Sequence, residues 1–168
     1  MYSLNVPVPG TVASLARDLG ARLGTADRRQ RGEHTLVAKR LGRGDAAAYH
    51  ELEARAREVL RGEPPFEVRV TGVDAFTDVP RGEGPVVYLA VESPGLESLH
   101  ERLCERFDPV DDVEGDDYTP HVTVARGGSV QRAADLCETP IEPIDWTVER
   151  LEFWDAERSQ SVSSVSLG

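Results

Sequence analysis

Residues 118 to 126 read Tyr-Thr-Pro-His-Val-Thr-Val-Ala-Arg, which places an imidazole, His121, and a hydroxyl, Thr123, two positions apart in a β-branched stretch. Strand side chains alternate faces, so a strand here points His121 and Thr123 one way and Val122 and Val124 the other. A neutral imidazole can take a proton, an imidazolium can return it, and a neighbouring hydroxyl can hold an anionic oxygen. Together these groups suit chemistry at a phosphate ester. One such pair is half of an acid/base machine. A second histidine, His34, followed by Thr35, lies 87 residues upstream, about half of the 168-residue chain.

The elements needed to position these groups are legible on both sides. Tyr2 to Val8 alternates as a half-buried strand and stops at Pro9-Gly10. Val12, Leu15, Ala16, Leu19 and Leu23 then form the apolar stripe of a helix opening at Thr11. A polar loop, residues 25 to 32, leads to a strand over Glu33 to Ala38, and Asp45 is a fitting N-cap for a second helix. Phe66, Val68 and Val70 begin a strand that runs on toward Phe76. The order then repeats. Val86 to Val91 reads as a strand buried on both faces, and Ser93-Pro94 caps a helix with Leu96, Leu99, Leu103 and Phe107 inward. An acidic loop, Asp108 to Asp117, precedes the His121 strand, and Ser129 caps a short helix ending near Cys137. A strand over Trp146 to Trp154 and a last one over Ser161 to Leu167 close the chain.

The repeat predicts one duplicated α+β domain over residues 1–168, with pseudo-repeats of about 1–84 and 85–168. Two antiparallel sheets related by a pseudo-two-fold would face a central cleft, with the helices outside and one histidine strand from each half at the cleft. No apolar run approaches the roughly 20 residues that span a bilayer, and the N-terminus lacks a basic start, so a cytoplasmic protein is expected. Cys104 and Cys137 show no metal-ligand spacing and read as small buried thiols. Net charge is −11, and 18 of the 19 basic residues are arginine, Lys39 being the exception. Such a surface repels polyanions at low ionic strength, an argument that lapses in molar salt, where the Debye length is about 3 Å. The acid excess, single lysine and single methionine resemble a haloarchaeal protein, with a high-GC actinobacterium as the second choice.

Two His-Thr motifs on equivalent strands of a duplicated α+β fold resemble the two-histidine phosphoesterase superfamily, which includes the 2'-5' RNA ligase and RNA 2',3'-cyclic phosphodiesterase group. The likeness covers nearly the whole chain and rests mainly on Pro120-His121-Val122-Thr123-Val124-Ala125-Arg126. It implies a phosphodiesterase that uses neither metal nor cofactor and acts on RNA ends or nucleotides bearing 2',3'-cyclic phosphates, as a monomer. It assigns His34 and His121 as the acid/base pair and Thr123 and Thr35 as phosphate ligands. Joining of 2'-5' ends is the reverse reaction on the same site. A nucleotide-binding module with a degraded first motif, and a hydrolase of another small cyclic or 2'-5' phosphoester, are the rival readings.

The first motif departs from the His-x-Thr pattern, since His34 and Thr35 are adjacent. Three readings are open: a bulge brings both to one face, His34 works without a hydroxyl, or Glu33 stands in the histidine's place. His34 is the expected catalytic residue, because a carboxylate beside a phosphodiester repels it. Arg126 falls opposite His121 on a regular strand, or reaches the phosphate if the strand ends there. His50 and His100 are expected at the surface, and the acidic loop as hydrated chain. With only 6% aromatics, Tyr118 and Phe76 are the candidates for stacking a base.

Overall fold

The computed structural model describes residues 1–168 except Thr25, Arg31 and Arg81. Thr25 and Arg31, inside the polar loop expected over residues 25 to 32, thus lie outside the described residues. The strands are β1 (Tyr2–Val6), β2 (Asp27–Arg28), β3 (Leu36–Gly42), β4 (Phe66–Phe76), β5 (Val86–Glu92), β6 (His121–Arg126), β7 (Ile144–Val148), β8 (Arg150–Asp155) and β9 (Gln160–Ser166). The helices of two turns or more are α1 (Gly10–Gly20), α2 (Ala46–Val59), α3 (Pro94–Cys104) and α4 (Val130–Cys137). The caps read from the sequence are in place: Asp45, Ser93 and Ser129 accept from the backbone N–H groups of Ala48, Leu96 and Arg132. The expected Trp146 to Trp154 strand is two strands. Inward-facing Val148 and Leu151 differ by an odd number of positions, so the alternation breaks at Glu149, and the two pieces pair at different ends of the sheet.

All neighbouring strands pair antiparallel, in the order β7-β4-β5-β6-β3-β1-β8-β9, with β2 beside β6. One lobe is β7-β4-β5-β6 and the other β3-β1-β8-β9. Each therefore draws strands from both halves of the sequence. The two expected sheets are joined at their seam by a single β3–β6 pair, Leu36 opposite Val122.

The helices cover one face: α1 packs on β6, α3 on β3 and β4, and α4 on β4. Leu96, Leu99 and Leu103 of α3 are fully buried, each contributing about 1.5–3 kcal/mol of apolar transfer. Gly95 lets α3 approach β4, since a Cβ there would lie 2.5 Å from Phe66 Cβ. The opposite face of the sheet, across the seam, carries the cleft.

Candidate active site

Leu36 fixes the facing of the motif strands. It lies between Val6 and Val122, all three at most 1% exposed, so even-numbered positions just before it point into the core. His34, two residues earlier, is accordingly buried, and neither ring nitrogen has a hydrogen-bond partner among the described residues. Burial, then the charges of Arg17 and Arg29, push its pKa below the ordinary 6.5, against Glu33. The structure thus corrects the expected facing of His34: the imidazole turns away from the cleft. Thr35 and Glu33 take the other face, Thr35 lining the cleft and an adjoining recess, Glu33 the recess. Glu33 Oε2 also accepts from the Gln30 N–H at 2.8 Å.

On β6 the side chains fall as alternation directs. His121 and Thr123 line a cleft of about 350 Å³ together with Thr35, Arg29, Arg40 and Arg126. His121 Nδ1 lies 2.6 Å from the Thr119 carbonyl oxygen. A carbonyl can only accept, so Nδ1 carries the proton and Nε2 holds the lone pair in the neutral ring. The ring packs edge-on against Phe76 and Tyr88, at 5.2 and 5.3 Å between centroids. Burial lowers the His121 pKa, the Thr119 bond opposes this, and Arg40 and Arg126 lower it further. The net direction is downward, toward a neutral imidazole able to accept a proton.

Two bulges deliver arginines that simple alternation sends the other way. On β6, Tyr88 pairs with Thr123 but Val87 with Ala125, so one extra residue turns Arg126 onto the cleft face. On β3, Asn5 pairs with Val37 and Leu4 with Lys39, which turns Arg40 to the cleft in the same way. Sequence reasoning missed Arg29 and Arg40. The lysine-poor composition was the available signal, but nothing local marked which arginines converge.

A buried network beside the seam holds this geometry. Lys39, the chain's single lysine, is 0% exposed and bonds Glu114 Oε2 at 2.6 Å and the carbonyls of Arg40 and Asp108. Glu114 also accepts from the N–H groups of Arg40 (2.8 Å) and Val110 (3.0 Å). Burial alone would raise the Glu114 carboxyl, but these bonds outweigh it and hold the group below its usual range. His100, expected at the surface, is 1% exposed, because its nitrogens find partners inside: Nδ1 donates to Ala38 O and Nε2 accepts from Gly115 N–H. Tyr118 stacks on it at 3.7 Å and donates its hydroxyl to Val37 O. The acidic loop is therefore pinned to β3 by Glu114, and its residues Val110, Asp112, Val113 and Asp117 wall the cleft. His50 is exposed and both cysteines are free.

Among the described residues, no group of three or more His, Cys, Asp or Glu side chains gathers as a metal site, and no helix is long and apolar enough to cross a membrane. A larger groove between Pro7–Pro9 and Trp146–Arg150 contains none of the motif residues.

The fold is thus a two-lobed antiparallel sheet with a His-x-Thr strand and converging arginines at its seam. Residues 35–160 match the family model of the 2'-5' RNA ligase superfamily, and the chain belongs to that family. Among solved structures, it is similar to TT0787 of Thermus thermophilus, with 18% identity over 99% of this chain and 97% of that one, and a TM-score of 0.65. It is similar also to E. coli LigT complexed with 3'-AMP, with 17% identity over 99% and 96% and a TM-score of 0.66. LigT complexed with ATP gives 16% identity over 99% and 96%, with a TM-score of 0.64. These identities establish the shared fold. No curated protein matches the sequence.

Proposed function

We propose that this chain is a phosphodiesterase that opens 2',3'-cyclic phosphates on RNA ends or nucleotides, with His121 as its acid/base imidazole. The observation that carries the reading is the bond from His121 Nδ1–H to Thr119 O, in a cleft shared with two threonine hydroxyls and three arginines. Arg29, Arg40 and Arg126 supply charge-assisted donors to the phosphate oxygens, and Thr35 and Thr123 supply hydroxyl donors. Nε2 of neutral His121 takes a proton from water as its oxygen attacks phosphorus. The bond from phosphorus to one ribose oxygen breaks, and that oxygen takes up a proton. The first motif turns Glu33, not a histidine, to this face, where it lines the recess adjoining the cleft, and the leaving oxygen takes its proton from that side. The arginines offset the repulsion that a carboxylate would otherwise exert on the phosphate. The reverse reaction, joining a 2'-5' end, runs through the same groups. That LigT has been solved with 3'-AMP and with ATP supports a nucleotide as ligand.

The buried facing of His34 favours one second reading, a module that binds nucleotide or RNA ends without turnover. Hydrolysis of the four 2',3'-cyclic mononucleotides, in molar KCl with EDTA, separates the two. Turnover that is lost in His121→Ala and weakened in Thr123→Ala is expected; saturable binding with no turnover by the wild type establishes the binding module instead.

A further inference from the structure

The tautomer of His121 depends on one backbone group, the Thr119 carbonyl, and the segment that carries this group belongs to no strand or helix. Residues 118 to 120 run between a single 3-10 turn, Gly115–Asp117, and the start of β6. Two anchors hold them. One is the bond from the Tyr118 hydroxyl to Val37 O at 2.7 Å. The other is His100, a buried imidazole on α3 that lines no part of the cleft and takes no part in the proton transfers described above. Its Nδ1–H donates to Ala38 O at 2.7 Å and its Nε2 accepts from the Gly115 N–H at 3.0 Å, an arrangement open only to the neutral ring. Burial lowers its pKa, against the Ala38 bond and the Glu114 charge, which favours that neutral form. Gly115 O accepts in turn from the Tyr118 N–H at 3.1 Å, and the Tyr118 ring returns to lie on His100, 3.7 Å between centroids and 9° from parallel. The link onward is stiff. Thr119 precedes a proline and is confined to extended backbone, and Pro120 is buried with its φ fixed by its own ring.

We infer that His100 is a positioning residue for His121: it sets the segment from Gly115 to Thr119 so that the Thr119 carbonyl takes the Nδ1–H of His121 and leaves Nε2 as the base. The inference rests on the acid/base role proposed for His121 and extends that site by a residue that touches no substrate. Without an acceptor on His100, the Gly115 N–H is left unpaired and the turn beneath Tyr118 loosens. The Thr119 carbonyl then no longer fixes the ring of His121, which populates the Nε2–H form as well. That form has no lone pair on Nε2 with which to take a proton from water.

Long-range proton–nitrogen NMR of the imidazoles reads which nitrogen of His121 carries the proton, and steady-state hydrolysis of a 2',3'-cyclic mononucleotide reads the consequence. His100→Gln keeps an acceptor for Gly115, whereas His100→Phe keeps a ring against Tyr118 and offers none. At a pH where the ring is neutral, His121 is expected as Nδ1–H in the wild type and in His100→Gln. In His100→Phe the Nε2–H form should appear, with kcat lower by about 10-fold or more, the scale on which a small misplacement acts. KM should stay within about 3-fold, because the threonines and arginines that hold the phosphate are untouched. Should His100→Phe fail to fold, His100→Asn, which keeps a donor for Ala38 O and drops the Gly115 acceptor, gives the same two readings. A folded variant lacking the acceptor that keeps Nδ1–H and the wild-type kcat overturns the inference, as does a loss in His100→Gln equal to that in His100→Phe. Absence of turnover in the wild type overturns the phosphodiesterase reading alone, since the tautomer still decides whether His100 positions His121.

Discussion

Replacing Lys39 with Met removes the cation from a pair that solvent does not reach. Nζ lies 2.6 Å from Glu114 Oε2, with the two side chains 0% and 1% exposed. Methionine fills the space of the stem but leaves the Glu114 charge buried. The N–H groups of Arg40 and Val110 and the Arg40 guanidinium at 3.5 Å still face it. Removing one partner of a buried pair costs about 3–5 kcal/mol, and these remaining donors place the loss near the lower end, about 3 kcal/mol. For a domain of this size each kcal/mol shifts the melting temperature by about 2–4 °C, so a fall of roughly 6–12 °C is expected. Equilibrium denaturation at low and at molar KCl measures it. Because the pair is shielded from ions, the loss should be the same at both. The double variant Lys39→Met with Glu114→Leu, which removes both charges, should recover only part of it, since the Arg40 and Val110 N–H groups lose their acceptor. A loss below about 1 kcal/mol, or one that disappears in high salt, would refute the reasoning, since that is how an exposed pair behaves.

His34→Leu should leave stability within about 1.5 kcal/mol of the wild type or improve it, because the imidazole it removes has no hydrogen bond to lose; denaturation midpoints decide. Stability should fall as pH drops below about 6.5. Burial holds His34 and His100 below their ordinary pKa, so the unfolded chain binds more protons in that range, and a midpoint that rises between pH 7 and 5.5 contradicts this. The acid limb of kcat/KM should likewise lie below pH 6.5, since lowering of the His121 pKa keeps the base form available; a limb above pH 7 argues against His121 as base. Gly95→Ala should cost about 1–3 kcal/mol by forcing α3 away from Phe66, measurable in the same unfolding experiment.

Most of the fold was readable because its signals are local. Apolar stripes, three side-chain caps and the repeated order of elements each depend on neighbours within a few residues. The long Trp146 to Trp154 strand failed because two strands of opposite phase abut at Glu149, and their destinations are a matter of tertiary pairing. The shared face of His121 and Thr123 was legible from spacing alone. The facing of His34 was not, since Leu36, Val37 and Ala38 are all apolar and carry no period-2 signal. Aligning the hydroxyls of Thr35 and Thr123 was the available clue, and it puts Glu33, not His34, at the position before Thr35 that His121 holds before Thr123. Arg126 and Arg40 depended on bulges, which insert a residue without a mark in composition. Lys39 stood out as the single lysine, but its burial follows from Glu114, 75 residues away. The burial of His100 escaped sequence reasoning for the same reason: its partners, Ala38 O and Gly115 N–H, are remote or backbone groups.

The most direct test of the central claim compares hydrolysis of 2',3'-cyclic mononucleotides by the wild type, His121→Ala, Glu33→Gln and His34→Leu under one set of conditions. The proposed mechanism predicts turnover that is abolished in His121→Ala, reduced in Glu33→Gln and retained in His34→Leu. Turnover abolished in His34→Leu and untouched in Glu33→Gln would contradict it, placing the buried imidazole, and not the carboxylate, opposite His121 during the reaction.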